Sequence, residues 1–196
     1  TSGANNVYMG YQAGNQDTVH TTGDKCTIIG SSCQTSATDS AYETVIGYNV
    51  TGINASLVFG NAASDSAIAN GATSISAPSD IRLKENIQDE TIGLDFINDL
   101  RPVTFQWKKA KDISDEMELH DPDSDERVMN GKFNHGFIAQ EVKAVIDNHS
   151  DIKDGFGMWS ESGSDNRQRI AEGELMSILV KAVQELSAEI EILKAK

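Results

Sequence analysis

The chain has 196 residues, with 30 acidic and 16 basic side chains and a formal net charge of −14. A chain this acidic repels nucleic-acid phosphates, so we expect no DNA or RNA partner. It has no stretch of about 18 or more apolar residues, which argues against a transmembrane helix, so we expect no membrane partner. The chain begins at Thr1 without an apolar signal-type run, and we expect it to be part of a longer protein.

Charge is distributed unevenly along the chain. Residues 1–78 contain five acidic residues and one basic residue, and they are rich in Gly, Ala, Ser, Thr and Asn. Residues 79–196 contain the other 25 acidic and 15 basic residues. Because Pro78 lies at this change of composition, we predict two domains, 1–78 and 79–196.

The first domain contains four short apolar runs that each end in glycine. They are Val7–Gly10, Thr27–Gly30, Thr44–Gly47 and Leu57–Gly60, with glycines 20, 17 and 13 residues apart. A recurring strand–glycine–turn unit predicts a stacked β architecture. Because the period is uneven and large apolar residues are few, we expect several chains to share one core rather than a regular single-chain solenoid. An ordinary β-sandwich is the alternative.

The second domain has the mixed pattern of an α+β domain. Apolar periodicity separates helices from alternating strands, and dense charge marks loops. The predicted elements are a helix at 92–100, a strand at 103–107, a charged loop at 108–131, a strand at 137–138, a helix at 139–146, a strand at 156–159 and a helix from about 170 to the end.

The last helix carries three unbroken heptads. Met176, Val183 and Ile190 occupy one core position, and Leu179, Leu186 and Leu193 occupy the other. This pattern predicts a coiled coil. An amphipathic helix that packs on its own domain is the alternative. Most residues at the first core position are β-branched, and those at the second are leucine. By itself this combination favours a dimer.

Two sets of motifs resemble known families. The run Met9–Asn15 resembles the head repeats of trimeric adhesins and the interwoven β-helical shafts of phage fibres. The run Ser79–Ile87 resembles the opening motif of the self-cleaving intramolecular chaperone domains at the C-termini of phage tail spikes, tail fibres and neck appendages, of the endosialidase type. Three later runs resemble further motifs of that family in the same order: Leu100–Phe105, His135–Val142 and Glu174–Leu186.

The resemblance covers nearly all of residues 79–196 and implies a mixed fold. We expect an N-terminal, interwoven, trimeric β-helix-like shaft and a C-terminal α+β chaperone domain that ends in a long coiled-coil helix.

The resemblance also implies a single-turnover, self-cleaving serine endopeptidase, with Ser79 as nucleophile and Lys84 as base. A serine hydroxyl needs a base to accept its proton, and a lysine base must be neutral, which burial favours. An offset of five places the two residues about 140° apart on one straight helix. We therefore expect Ser79 to lie outside the helix, or the pair to form between chains. A helix N-cap is the alternative role of Ser79.

Ring size suggests the bond that is cut. Attack by Ser79 on the carbonyl of Pro78 forms a five-membered intermediate and cleaves Pro78–Ser79, whereas attack by a neighbouring chain also allows cleavage of Ser79–Asp80. Asp80 is expected to orient Lys84 or Arg82. His135, at a family position near the site, is expected to support an oxyanion or a water, with a purely structural role as the alternative.

We expect no metal and no cofactor. Asp121, Asp123 and Asp125 match the start of a calcium loop, but Glu126 stands where that loop needs glycine and Lys132 where it needs its bidentate acid. The four histidines show no metal-ligand spacing with the cysteines. We expect Cys26 and Cys33 to be buried free thiols, with a disulfide between them as the alternative.

Together these features predict the C-terminal end of a bacteriophage fibre or appendage protein. The resemblance implies that its terminal domain drives trimerisation of the shaft and then releases itself. The expected partners are a homotrimer, the upstream fibre chain and a host-surface receptor. We expect it in the virion, and in the host bacterial cytoplasm during assembly and after release. The alternative is a structural or adhesive fibre tip that is not cleaved.

Overall fold

The structure is a computed structural model that describes residues 3–62, 64–152 and 155–196. It divides into two compact units, Thr1–Ile87 and Gln88–Lys196, so the division by contacts falls after Ile87. The predicted domain boundary after Pro78 stays a prediction. Within the described ranges, no helix combines the length and the apolar character that crossing a lipid bilayer requires.

The first unit is built on one five-stranded sheet. Its strands are β1 (Val7–Met9), β2 (Thr27–Ser31), β3 (Thr44–Tyr48), β4 (Ser56–Asn61) and β5 (Ser64–Ala69), and they lie side by side in chain order. The strands β1 to β4 are parallel, and β5 runs antiparallel to β4. The four predicted strands are confirmed, and these strands form a single sheet rather than the alternative β-sandwich. The sequence did not predict β5, because its small, polar residues lack an apolar run.

The parallel strands are paired in register, and their inward side chains form a core within one chain. Ile28, Val45 and Val58 lie in one column and are fully buried. Cys26 and Cys33 are buried free thiols in the same core. The described strands bury a core within one chain, because each rung buries its apolar face on the next rung. A core shared between chains stays a prediction.

Each parallel strand lies in an arm of constant length between two corners. The corner residues have φ between 48° and 60°, in the left-handed region that turns the chain sharply, and each pair is seven residues apart: Asn5 and Gln12, Lys25 and Ser32, Tyr42 and Asn49, Ala55 and Ala62. The interval from the last corner of one arm to the first corner of the next shortens from 13 positions (12 to 25) to 10 (32 to 42) and 6 (49 to 55). The uneven glycine spacing therefore arises in the connections and is compatible with a solenoid.

A second ladder of hydrogen bonds closes the coils after the arms. The amide N–H of Gly14 donates to the carbonyl of Cys33 at 2.8 Å, and that of Gln34 donates to Val50 at 2.9 Å. Gly52 returns a bond to Gln34 at 2.8 Å. Each coil thus contacts the next on two sides, which makes the first unit β-solenoid-like.

Glycine is required where the strands end. Gly30 and Gly47 have φ of 123° and 145°, and a Cβ at either position would lie 1.8–1.9 Å from a carbonyl oxygen of the next rung. Only glycine permits both this backbone conformation and this close approach. This explains why each of the four apolar runs ends in glycine.

The second unit combines short strand pairs with three helices. Its elements are α1 (Leu94–Asp99), β6 (Val103–Phe105), β7 (Asn134–Gly136), α2 (Ala139–Asn148), β8 (Trp159–Ser162), β9 (Arg167–Ile170) and α3 (Leu175–Lys194). The pairs β6–β7 and β8–β9 are antiparallel. The core of this unit is formed by Ile92, Phe96, Leu100, Val142, Ile146, Met158, Leu175 and Ile178. The α+β character is as predicted, and so are the helices near 92–100 and 139–146.

Two predicted strands are displaced. The strand expected at 137–138 lies at Asn134–Gly136, and Ile138 instead provides the N-cap position of α2. Phe137 packs against the core from the connection between them, so its apolar character reflects packing rather than strand pairing. The strand predicted at 103–107 ends at Phe105, and Trp107 packs edge-on against that ring.

The region before α3 is a hairpin rather than the start of a helix. The strand expected at 156–159 begins at Trp159 and pairs with Arg167–Ile170. Gly163 and Asn166 both have positive φ in the turn. The helix predicted from about 170 begins at Leu175. The sequence missed β9 because its residues, Arg-Gln-Arg-Ile, show no apolar alternation.

The helix α3 presents two different apolar faces. Leu175, Ile178 and Ala182 are buried in the second unit. The heptad positions lie one residue further on, about 100° around the helix. All of them are exposed in this chain: Met176, Leu179, Val183, Leu186, Ile190 and Leu193. The helix therefore packs on its own unit through residues other than the heptad, and the coiled coil stays a prediction.

Candidate functional site

The predicted catalytic residues flank a single tight turn. Ile81–Leu83 form a 3₁₀ turn, with Asp80 as its N-cap and Lys84 at its C-cap position. The carboxylate of Asp80 accepts the amide N–H of Arg82 at 2.9 Å, which satisfies a free donor at the start of the turn. The capping role considered for Ser79 is thus taken by Asp80, and Ser79 lies one residue outside the turn.

The turn brings the two side chains together within one chain. The Nζ of Lys84 donates a hydrogen bond to the Oγ of Ser79 at 2.7 Å. Because both residues lie outside the turn, the offset of five that a straight helix would not accommodate becomes a direct contact. Ser79 therefore lies outside the turn, as one of the two expected arrangements requires, whereas pairing between chains stays a prediction.

The side chain of Asp80 contacts Arg82. Arg82 donates from Nε at 3.0 Å and from Nη2 at 2.6 Å, an arrangement with the fork geometry of arginine–carboxylate pairs. The Arg82 guanidinium holds the pKa of the Asp80 carboxyl below its usual range, and Asp80 in turn raises the pKa of Arg82. Of the two partners expected for Asp80, the structure shows Arg82.

The whole segment is open to solvent. Every residue from Pro78 to Lys84 is exposed, and Pro78 to Asp80 have no regular secondary structure. Both candidate bonds, Pro78–Ser79 and Ser79–Asp80, are therefore accessible. Burial favours the neutral amine that a lysine base needs, and the described chain does not bury Lys84.

His135 lies in the second unit, at the centre of β7. It pairs with Thr104 of β6 and is exposed at a groove that Pro102 and Glu172 also line. A Cβ on the neighbouring Gly136 would lie 3.2 Å from a carboxylate oxygen of Glu172. The supporting role expected for His135 stays a prediction.

Sequence reasoning missed an ion pair between two of the motif segments. Arg101, just before β6, donates to Glu141 of α2 from Nε at 2.9 Å and from Nη2 at 2.5 Å. The arginine holds the pKa of Glu141 below its usual range. The pair joins the Leu100–Phe105 and His135–Val142 motifs. In the sequence, only the opposite charges of Arg101 and Glu141 could have suggested this contact.

The acidic loop contains a lysine-bound carboxylate. The carboxylate of Asp125 accepts from Lys109 at 2.8 Å and lies 2.6 Å from Lys111, and these two cations lower its pKa to about 2. Its neighbour Asp121 accepts the amide N–H of Asp123. Among the described residues, no group of three or more His, Cys, Asp or Glu side chains is arranged to hold a metal ion.

Comparison with known proteins gave one family match. Residues 79–151 match the model of the Peptidase_S74 family, described as chaperone of endosialidase. The matched segment ends before α3. It contains the runs Ser79–Ile87, Leu100–Phe105 and His135–Val142. No curated protein and no solved structure matched the chain.

Proposed function

We propose that the C-terminal region drives assembly of the solenoid region into a trimeric phage fibre and then releases itself by serine-dependent cleavage, because residues 79–151 match the model of the endosialidase chaperone family. The observation that carries the cleavage is the 2.7 Å hydrogen bond from Lys84 to Ser79. The chain is then the C-terminal end of a fibre that remains in the virion, while the cleaved domain is left in the host cytoplasm.

The proposed reaction uses a single residue as nucleophile and needs no cofactor. Lys84, as the neutral amine, accepts the proton of the Ser79 hydroxyl while Oγ attacks the carbonyl carbon of Pro78. The C–N bond of Pro78–Ser79 breaks, the proton passes to the leaving amine, and an ester remains on Ser79. Water then hydrolyses this ester, which leaves a carboxylate on Pro78 and a free amino group on Ser79.

Assembly would provide the burial of Lys84 that the described chain lacks. Lys84 is exposed in the described chain, and burial is what favours the neutral form of a lysine side chain. We propose that packing of neighbouring chains buries this segment and favours the neutral amine. Cleavage would then follow assembly instead of preceding it.

The exposed face of α3 supports the assembly step. Six apolar heptad side chains, from Met176 to Leu193, are exposed along one side of the helix. A seam of this kind is typical of helices that pair with copies of themselves. The resemblance to phage chaperone domains favours three chains over the dimer that the residue types alone would favour.

This order of events suits a stacked parallel shaft. Parallel pairing is non-local, so it forms slowly and is open to errors in register. A C-terminal clamp raises the effective concentration of the chains and aligns them. Once the clamp has been removed, the shaft persists because its unfolding is slow.

Denaturing electrophoresis of the purified protein tests the cleavage. We expect the wild type to yield two fragments from its 21.2 kDa chain, whereas Ser79→Ala and Lys84→Met stay intact. Glu85→Gln, an exposed change next to the site, serves as the matched control and should cleave normally. The mass of the larger fragment distinguishes cleavage at Pro78–Ser79 from cleavage at Ser79–Asp80. A cleaved Ser79→Ala protein would show that Ser79 is not the nucleophile.

The second candidate function is a fibre tip that is not cleaved. The exposure of Lys84 favours it, because none of the described residues buries this amine. An intact wild-type chain that is nevertheless oligomeric in solution would support this function over self-cleavage.

A further inference from the structure

The outward side of the first sheet carries a row of apolar side chains that the unit does not use in its own core. Met9, Ile29, Ile46 and Phe59 lie opposite one another on β1 to β4, and the inward column beside them fills the core. We propose that this row is the surface through which copies of this chain pack against each other along the shaft, an inference that rests on the proposed assembly.

The row forms an apolar surface of mixed exposure, because Met9 and Ile46 are exposed whereas Ile29 and Phe59 are half-buried. Met9 is 62% exposed and Ile46 is 41% exposed, and Tyr48, two residues beyond Ile46 on the same strand, is 59% exposed. Val7 on β1 adds a further exposed side chain at 48%. Single exposed apolar residues are common on soluble proteins, but contiguous apolar patches mark interaction surfaces.

Charge points to a copy of the chain as the occupant. The chain carries a formal charge of −14, so copies repel one another wherever their acidic surfaces meet. The strands β1 to β4 contain no charged residue. The charged residues of the first 62 positions all lie outside them: Asp17, Asp24, Lys25, Asp39 and Glu43. This sheet face is therefore one at which two copies can meet without like-charge repulsion.

The strand spacing favours the same occupant. Neighbouring strands lie about 4.8 Å apart, so the row presents one side chain at each interval of that length. A second copy related by rotation about an axis along the stack has the same spacing, and each rung meets its own counterpart. A partner without stacked strands would not match this spacing over four rungs.

Cross-linking through an introduced thiol tests the inference. We would compare Ile46→Cys with Ile53→Cys, each in the full chain with Ser79→Ala to keep it intact. Ile53 is the matched control because it is also isoleucine and is 49% exposed, but lies outside the sheet. The native Cys26 and Cys33 are buried and should not interfere.

We expect a short bis-maleimide to link chains through the thiol introduced at position 46 but not through the thiol introduced at position 53. Assembly should also protect the thiol at position 46 from a reagent with a single maleimide, and should leave the thiol at position 53 reactive.

Light scattering on the same samples separates the two proposals. Oligomers in which position 46 neither cross-links nor gains protection would overturn this inference and leave the proposed assembly standing. A monomer at micromolar concentration would contradict the proposed assembly, and this inference with it. Met9→Cys provides a second position on the same row if the variant at position 46 does not fold.

Discussion

The contact between Lys84 and Ser79 depends on a turn of only three residues. Asp80 caps that turn and also pairs with Arg82. The family motif in the sequence suggested Ser79 and Lys84. The spacing alone did not show that Asp80, which lies between them, caps the turn. The two roles of Asp80, cap and ion-pair partner, can be separated by mutation.

We expect Asp80→Asn to cleave at close to the wild-type rate and Asp80→Ala to cleave several-fold more slowly. Asparagine keeps the side-chain acceptor that caps the turn, whereas alanine removes it. Time courses on denaturing gels measure both rates. If Asp80→Asn is as slow as Asp80→Ala, the charge paired with Arg82 matters more than the cap.

The acidic loop allows a second prediction at this scale. Lys109 and Lys111 lower the pKa of Asp125 to about 2, below the value near 3.9 expected in an unfolded chain. A depressed carboxyl pKa stabilises the fold above the unfolded pKa, and this stabilisation is lost as the pH falls through the folded value. The stabilisation from Asp125 is therefore lost as the pH falls from about 4 to about 2. We expect NMR titration of the Asp125 carboxyl carbon to give a midpoint near 2.

The matched test removes the two cations. In a Lys109→Met, Lys111→Met double variant, the midpoint of Asp125 should rise towards 3.8, the ordinary value for aspartate. A midpoint that stays near 2 in this variant would show that another cause lowers it.

At the scale of elements, we expect folding and assembly to depend on different faces of α3. Its buried face contacts the core of the second unit through Ile178, which is 1% exposed, whereas Leu186 on the heptad face is 42% exposed. We expect Ile178→Ala to destabilise the unit by about 2–5 kcal/mol, because it leaves a cavity in a packed core. Denaturant unfolding measures this loss.

The heptad face should behave in the opposite way. A double variant, Leu186→Asp and Ile190→Asp, should keep the fold of a single chain but fail to assemble, because it would bury unpaired charges in the helix seam. Circular dichroism and light scattering report the two properties separately. Normal oligomers of this variant would exclude the heptad from the interface.

The sequence predicted the elements that have a strong local signal. The four strands that end in glycine, the helix near 92–100 and the helix at 139–146 follow from apolar spacing. The strands β5 and β9 have no such pattern, and they form because a neighbouring strand offers them hydrogen bonds. In the site, the motif identified Ser79 and Lys84, but the Asp80 cap and the Arg101–Glu141 pair depend on three-dimensional geometry that the sequence spacing does not encode.

At the scale of the whole molecule, cleavage should depend on protein concentration. If a folded chain alone completes the site, cleavage is first-order and dilution does not change its rate. If assembly completes it, dilution below the dissociation constant of the oligomer slows cleavage. We expect the second result, because Lys84 is exposed in the single chain. Newly refolded protein, quenched at intervals over a hundredfold range of concentration, provides the measurement.

The constant arms and variable connections of the solenoid have a consequence for how such a protein can change. An insertion in a connection lengthens one loop. The corner-to-corner intervals of 13, 10 and 6 positions show that the fold already tolerates connections of different length. A single residue inserted inside an arm would exchange the inward and outward side chains beyond it. We therefore expect new sequence, including displayed peptides, to be accommodated in the connections, above all in the long one between Gln12 and Lys25, without loss of register.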